Sequence, residues 1–253
     1  MNELTLDQIS GDWQREGYLI LKPKSLELFT EVHQLRRLFE NHYKSKFSNN
    51  IIRNRNLIKL FAEDIRVKQY FNHFDIIKFM KNVLEIKHPV HTGPIVSHYT
   101  CNDQTGEGYG LEFHQDWPSM GTSSKSIICW INIKDTNSTT HGLSVIPQSL
   151  TNTKYLLPGE QTDKGYIVKK EFCANAINLD IEAGCLVLMS PWLVHKTFVN
   201  PSSSDYKLSL SARFDDLECE SWSDRNFVSA YYTSVNREIW KTQNKPIVKF
   251  KQP

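Results

Sequence analysis

Two short stretches of this 253-residue chain set a histidine two positions before an aspartate: His73-Phe74-Asp75 and Phe113-His114-Gln115-Asp116-Trp117. On a strand, side chains two apart point to the same face, so such a pair can hold one metal ion together. On a helix the same spacing sets them about 200° apart around the axis, and they diverge. His73 and Asp75 lie in a strongly helical run and are expected on a helix surface; His114 and Asp116 are expected on a strand. A facial metal site needs a third donor from elsewhere. Of the nine histidines, the β-rich region offers His98, His141 and His195 as candidates. His141, in Thr139-Thr140-His141-Gly142, has the composition of a solvated turn. His98 lies on a strand near the first pair. His195 follows an apolar strand and a Pro-containing turn and opens the next strand, from which it can fold back over the pair. On pattern alone His195 and His98 both stand as the third donor.

The elements that must position these residues fall into two regimes. Up to about Leu84 the periodicity is helical. Leu6, Ile9 and Trp13 predict a helix over Leu6–Glu16, closed by Gly17, and Tyr18–Leu21 reads as a short buried strand. Further helices fit Ser25–His42, Leu57–Phe61 and Val67–Val83. From Pro89 onward, short β-rich runs alternate with polar, Gly- or Pro-bearing turns. The expected strands are Val90–Tyr99, Gly110–Phe113, Ser126–Ile133, Leu143–Ile146, Ile167–Lys169, Cys185–Met189, Val194–Val199 and Lys207–Phe214. Asp224–Thr242 reads as a closing helix. The expectation is a mainly β protein with flanking helices around a barrel or double-sheet jelly roll. It would be one domain over residues 1–253, with a helical part (1–88), a β core (89–216) and a helical tail (217–253).

Bulk properties narrow the function classes. A hydrophobic fraction of 40% and a charged fraction of 23% describe an ordinary globular chain. A formal charge of +2, spread over short clusters, gives no electrostatic footprint for nucleic acid. No apolar run reaches the ~18 residues of a membrane span, and no secretory signal is evident. The five cysteines form no CxxC pair, and an odd number argues against a complete disulfide framework. They are read as reduced, in the cytoplasm.

Several segments, in order, resemble the phytanoyl-CoA dioxygenase family of Fe(II)/2-oxoglutarate oxygenases. Leu6–Leu21 is similar to its opening helix and strand, and Phe113–Trp117 to its HxD box. Trp130-Ile131-Asn132-Ile133-Lys134-Asp135 followed by Gly142-Leu143-Ser144-Val145-Ile146-Pro147-Gln148-Ser149 resembles its strand, turn and G-x-L-x-x-x-P-G-S block. Gly184 through His195 resembles the strand leading to its distal histidine, and Asn200 and Ser202 match the polar residues after it. The resemblance spans nearly the whole chain and implies a double-stranded β-helix (jelly-roll, cupin-like) core.

The resemblance raises His195 above His98 and implies Fe(II) on His114, Asp116 and His195. Two imidazoles and one carboxylate leave three positions of an octahedral ion open; 2-oxoglutarate would take two and O2 the third. The products would be succinate, CO2 and a hydroxylated small molecule. Sugar or glycan, acyl and amino-acid-derived substrates are all represented in the family. Halogenating relatives lack the carboxylate, so Asp116 implies hydroxylation. The family places an arginine after the distal histidine for the 5-carboxylate of 2-oxoglutarate, with a hydroxyl two residues on. Here Lys207 and Ser209 stand at those places. A lysine neutralises a carboxylate without the bidentate fork of a guanidinium, so Arg213, on the same strand face, is the alternative. Thr197, Trp130 and His98 match positions near the co-substrate, and Trp117, Met120 and Trp192 line the expected substrate pocket. Gln148, Leu150 and Cys185 depart from the family pattern at turns. Two other readings are a cupin-like metal enzyme that does not use 2-oxoglutarate and a binding relative without turnover.

Overall fold

The computed structural model describes residues 6–24, 26–101, 112–117, 125–137, 139–148, 156–162 and 166–219. Its strands are β1 (Leu6–Asp12), β2 (Tyr18–Pro23), β3 (Pro89–Cys101), β4 (Ile127–Asn132), β5 (Gly142–Ile146), β6 (Gly159–Gln161), β7 (Tyr166–Val168), β8 (Ile177–Leu179), β9 (Leu186–Met189), β10 (Val194–Phe198) and β11 (Tyr206–Asp216). The helices are α1 (Trp13–Glu16), α2 (Leu26–Leu38), α3 (Ile51–Ala62), α4 (Ile65–Phe71) and α5 (Phe74–Val83). β1, β2, β9, β4, β11 and β3 form the major sheet in that order; β10, β5 and β8 form a second sheet, and β6 pairs with β7. All of these pairings are antiparallel. This is a jelly-roll architecture.

Period-2 alternation assigns every major-sheet strand two faces. Ile127, Cys129 and Ile131 of β4, Leu186 and Leu188 of β9, and Leu208, Leu210, Ala212 and Phe214 of β11 pack in one cluster with Leu28, Val32 and Leu35 of α2, Phe61 of α3, Phe71 of α4 and Met80 of α5. The intervening residues Ile128, Trp130, Val187 and Met189 pack instead against Leu143, Val145 and Leu179 of the second sheet. Both faces of β4 and β9 are therefore covered, which is why these strands read as unbroken apolar runs. On β11 the face turned towards the second sheet carries Lys207, Ser209, Ser211 and Arg213, all buried. A polar row inside a jelly roll is costly unless it is hydrogen-bonded or built to meet a polar ligand.

Four sequence expectations change. Leu6–Asp12 is a strand: it covers the edge of β2, with a bulge between Gln8 and Ser10, and only Trp13–Glu16 is helical. The spacing of Leu6, Ile9 and Trp13 is helical, but Gly11 at φ +85° lies so close to β2 that a Cβ there would meet the Tyr18 carbonyl at 2.5 Å. Edge pairing overrides the local period. The run Val67–Val83 is two helices, broken where Asn72 ends α4 and His73 caps α5 in extended geometry. His73 accepts from the Asp75 backbone N–H, and its ring lies 3.8 Å from the Asp75 carboxylate. The pair is a helix cap rather than two diverging surface residues. Glu112 and Phe113 form a bend ahead of an isolated bridge at His114 rather than the end of a strand. Gly110, Met120, Leu150 and the expected helix Asp224–Thr242 lie outside the described residues.

Candidate metal centre

His114 and His195 meet because their backbones do. Each donates its N–H to the other's carbonyl at 3.0 Å, which brings the ring centroids to 4.3 Å. The HxD segment is further pinned by Val168 N–H on the Phe113 carbonyl (2.9 Å) and by Trp117 N–H on the Pro191 carbonyl (3.1 Å). Gln115, between the two ligand candidates, points the other way and is 2% exposed. Its amide donates to the Trp192 carbonyl at 2.6 Å and its oxygen accepts from the Leu157 N–H at 2.8 Å. The segment is thus clamped to the turn before His195 and to the Leu157 region.

The donors converge. His114 Nε2 lies 3.3 Å and His195 Nε2 3.9 Å from Asp116 Oδ1, and the three ligand atoms lie within 4.8 Å of one another. Cis donors about 2.1 Å from an ion sit about 3 Å apart, so a small inward movement closes the set on a metal. The tautomers suit this role. Each Nδ1 faces a carbonyl two residues earlier, Glu112 for His114 (2.8 Å) and Leu193 for His195 (3.0 Å). A carbonyl only accepts, so Nδ1 carries the proton and Nε2 keeps its lone pair. Burial, with His114 alongside, lowers the His195 pKa to about 4 although Asp116 opposes it. Burial would raise the Asp116 carboxyl, but the Arg213 guanidinium, followed by the two histidines, holds it well below the usual carboxylate range. A neutral His195 imidazole and an ionised Asp116 carboxylate suit a divalent ion.

Arg213 belongs to this centre: its Nη2 donates to Asp116 Oδ2 at 3.0 Å. Lys207 lies towards the other end of the same strand face, 2% exposed, with Nζ donating to the Gly142 carbonyl at 3.2 Å and lying 5.8 Å from the centre of the Trp130 ring. Burial alone lowers its pKa to about 7. Next along the face, Ser209 Oγ is buried with no hydrogen-bond partner among the described residues. His98 lies cross-strand from Ser209; burial, then Lys207 and Arg213, push its pKa well below the ordinary value. Thr197, two residues after His195 on β10, is half-buried. A buried cation beside an orphaned hydroxyl fits a carboxylate ligand.

Two residues expected in a substrate pocket, Trp117 and Trp192, stack on each other at 4.8 Å and are 3% and 8% exposed. They form a buried wall next to Asp116. His141 is not a solvated turn residue: it is fully buried, its Nδ1 accepts from the Asn200 N–H at 3.2 Å, and burial lowers its pKa, with Lys207 adding to the effect. A Thr-Thr-His-Gly composition resembles a surface turn, and only the packing of the Asn200 loop over it shows otherwise. The roles of Gln115 and Ser211 were also missed. Strand alternation places Ser211 with Arg213, but nothing in the sequence indicates what either touches.

A family model of phytanoyl-CoA dioxygenase (PhyH) matches residues 13–207. Among solved structures, EctD from S. alaskensis, with 2-oxoglutarate and 5-hydroxyectoine, has a TM-score of 0.58 at 11% identity, covering 85% of this chain and 82% of that chain. EvdO2 from Micromonospora carbonacea var. aurantiaca, complexed with 2-oxoglutarate, reaches 0.58 at 14% identity (82% and 93% covered). The α-ketoglutarate-dependent epimerase SnoN from nogalamycin biosynthesis reaches 0.57 at 16% identity (81% and 80% covered). At such identities the likeness is one of fold. No curated protein sequence matches this chain. Among the described residues no helix is long and apolar enough to cross a membrane, and all five cysteines are free.

Proposed function

The chain belongs to the phytanoyl-CoA dioxygenase family, and from that premise we propose that it is an Fe(II)/2-oxoglutarate-dependent oxygenase that hydroxylates a small metabolite. The observation that carries the proposal is the convergence of His114 Nε2, Asp116 Oδ1 and His195 Nε2 within 4.8 Å, inside the jelly roll. Two imidazoles and a carboxylate on one face are the donor set of non-haem Fe(II) oxygenases. When bound, iron and 2-oxoglutarate supply an O2-dependent oxidation that yields succinate and CO2 and inserts oxygen into a substrate C–H bond.

The protein's own residues do the positioning. The Glu112 and Leu193 carbonyls orient the two imidazoles. Lys207 neutralises the 5-carboxylate of 2-oxoglutarate and the Ser209 hydroxyl donates to it, with Trp130, His98 and Thr197 alongside. Lys207 is preferred to Arg213 for this role because the Arg213 guanidinium is already paired with Asp116. The buried Trp117–Trp192 pair excludes water from the metal side. Substrate classes are those of the family: sugar or glycan, acyl or amino-acid-derived. SnoN, of the same fold, is an epimerase, so stereoinversion is the second reading. The test is succinate formation from 2-oxoglutarate, dependent on Fe(II) and O2, followed by screening of small metabolites. Oxygen gained by the substrate supports hydroxylation, and inversion without it selects the second reading. If the iron-loaded protein neither binds 2-oxoglutarate nor forms succinate, the proposal fails.

A further inference from the structure

The two oxygens of Asp116 face different partners. Oδ1 looks towards the two imidazoles, 3.3 and 3.9 Å from their Nε2 atoms. Oδ2 accepts from Arg213 Nη2 at 3.0 Å. The guanidinium is itself held, because Nη1 donates to Ser211 Oγ at 2.7 Å and to the Ser211 carbonyl at 3.1 Å. Ser211 Oγ in turn lies 3.1 Å from His98 Nε2. Since Ser211 Oγ accepts from Arg213, its own proton is available to His98 Nε2, and the imidazole then carries its proton on Nδ1. A hydrogen-bonded chain thus runs from His98 on β3, through Ser211 and Arg213 on β11, to one oxygen of Asp116. Asp116, Ser211 and Arg213 are 5%, 1% and 6% exposed, so water competes little for these bonds.

We propose that Arg213 is a positioning residue that reserves Oδ2 and so restricts Asp116 to a single-oxygen donor, keeping a metal position open for the co-substrate. The proposal rests on the Fe(II)/2-oxoglutarate reading above. A carboxylate beside a metal can bind through one oxygen or chelate through both, and chelation takes a second position. Three protein donors leave three positions of six, all of them needed: two for 2-oxoglutarate and one for O2. If Asp116 chelates, only two remain. A buried charge-assisted bond to Oδ2 opposes the carboxylate rotation that chelation requires. A guanidinium can do this while bonding Ser211 with its other amino group; a lysine ammonium lacks that planar fork.

The test uses Mn(II) as the probe ion, with the wild-type protein and the Arg213→Met, Arg213→Lys and Ser211→Ala variants. Water on bound Mn(II), without 2-oxoglutarate, is counted from the broadening of its EPR lines in 17O-labelled water, and affinities for Mn(II) and for 2-oxoglutarate are titrated separately. The wild type is expected to keep three waters. Arg213→Met is expected to keep two, to bind Mn(II) as tightly or more tightly, and to bind 2-oxoglutarate at least about tenfold more weakly, the usual scale for a residue supporting a metal ligand. Arg213→Lys falls between, and Ser211→Ala, which leaves the guanidinium in place, loses about threefold in 2-oxoglutarate affinity by the same reasoning. Three waters in Arg213→Met, unchanged 2-oxoglutarate affinity, or a folded Arg213→Met that has lost Mn(II) overturns the proposal. If Arg213→Met does not fold, unchanged 2-oxoglutarate affinity in both Arg213→Lys and Ser211→Ala overturns it. A wild type that binds Mn(II) but not 2-oxoglutarate defeats the functional reading instead, while the water count still tests Arg213.

Discussion

Lys207 is buried inside the jelly roll, and burial alone pulls its pKa from 10.5 to about 7. At 1.36 kcal/mol per pH unit, holding the charged ammonium there costs the folded chain on the order of 5 kcal/mol. Because the folded value is the lower one, the unfolded chain holds the extra proton between pH 7 and 10.5. Stability therefore rises with pH through that window, and the full penalty applies below it. A carboxylate placed beside Lys207 reverses the preference and raises its pKa in the complex. At pH 6 the free protein already carries the proton, and binding of 2-oxoglutarate needs none. Above pH 7 binding must take one up, so the affinity falls by up to about tenfold per pH unit and up to about 100-fold by pH 9. Calorimetric titration of 2-oxoglutarate into Mn(II)-loaded protein, in buffers of different ionisation enthalpy, measures both quantities. Uptake of about half a proton is expected at pH 7 and nearly one at pH 8. Lys207→Met removes a charge-assisted contact worth about 2–3 kcal/mol, so it should weaken binding about 30- to 150-fold at pH 7 and flatten the pH profile. The same variant should melt at a higher temperature when metal-free, with the larger gain at pH 6. A wild-type affinity constant from pH 6.5 to 9 without proton uptake, or a Lys207→Met variant that binds normally, would refute the reasoning.

Three further outcomes follow from the site and its scaffold. His195→Ala leaves two of the three donors and should reduce Mn(II) affinity by more than about 100-fold with little change in melting temperature, read by equilibrium dialysis and calorimetry. Gln115→Leu removes two buried hydrogen bonds, those to the Trp192 carbonyl and from the Leu157 N–H. It should cost about 2–4 kcal/mol in denaturant unfolding and about tenfold in metal affinity; unchanged metal affinity would show that the clamp does not position His114 and Asp116. Gly17 closes α1 at φ +77°, and a Cβ there would sit 2.5 Å from Gln148. Gly17→Ala should therefore destabilise by about 1–3 kcal/mol in urea unfolding, without altering Mn(II) affinity.

How much was legible differed from element to element. Apolar, β-rich runs bounded by turns marked β4, β9, β10 and β11 to within a residue or two. Pattern reading, through the alternation along β11, also placed Lys207, Ser209, Ser211 and Arg213 together. It failed for Leu6–Asp12, where a helical spacing was overridden by the open edge of β2, and for β6 and β8, which are three residues each and too short to show a period. The single run Val67–Val83 hid a break, since Asn72 and His73 leave the helical pattern only through backbone angles and, at His73, a side-chain bond to the Asp75 N–H. His114 and Asp116 stood out because their partnership is local, two residues apart. His195 was one of two rivals until the family resemblance was added, because the ladder that joins it to His114 spans about eighty residues. What the chain determined by itself was the set of residue types and the face each would occupy, which are properties of short-range backbone geometry. Which oxygen of Asp116 faces the imidazoles, that Arg213 holds the other, that Lys207 is desolvated and that His141 is buried were decided only by tertiary structure. Those are properties of distance and dielectric between segments far apart in the chain.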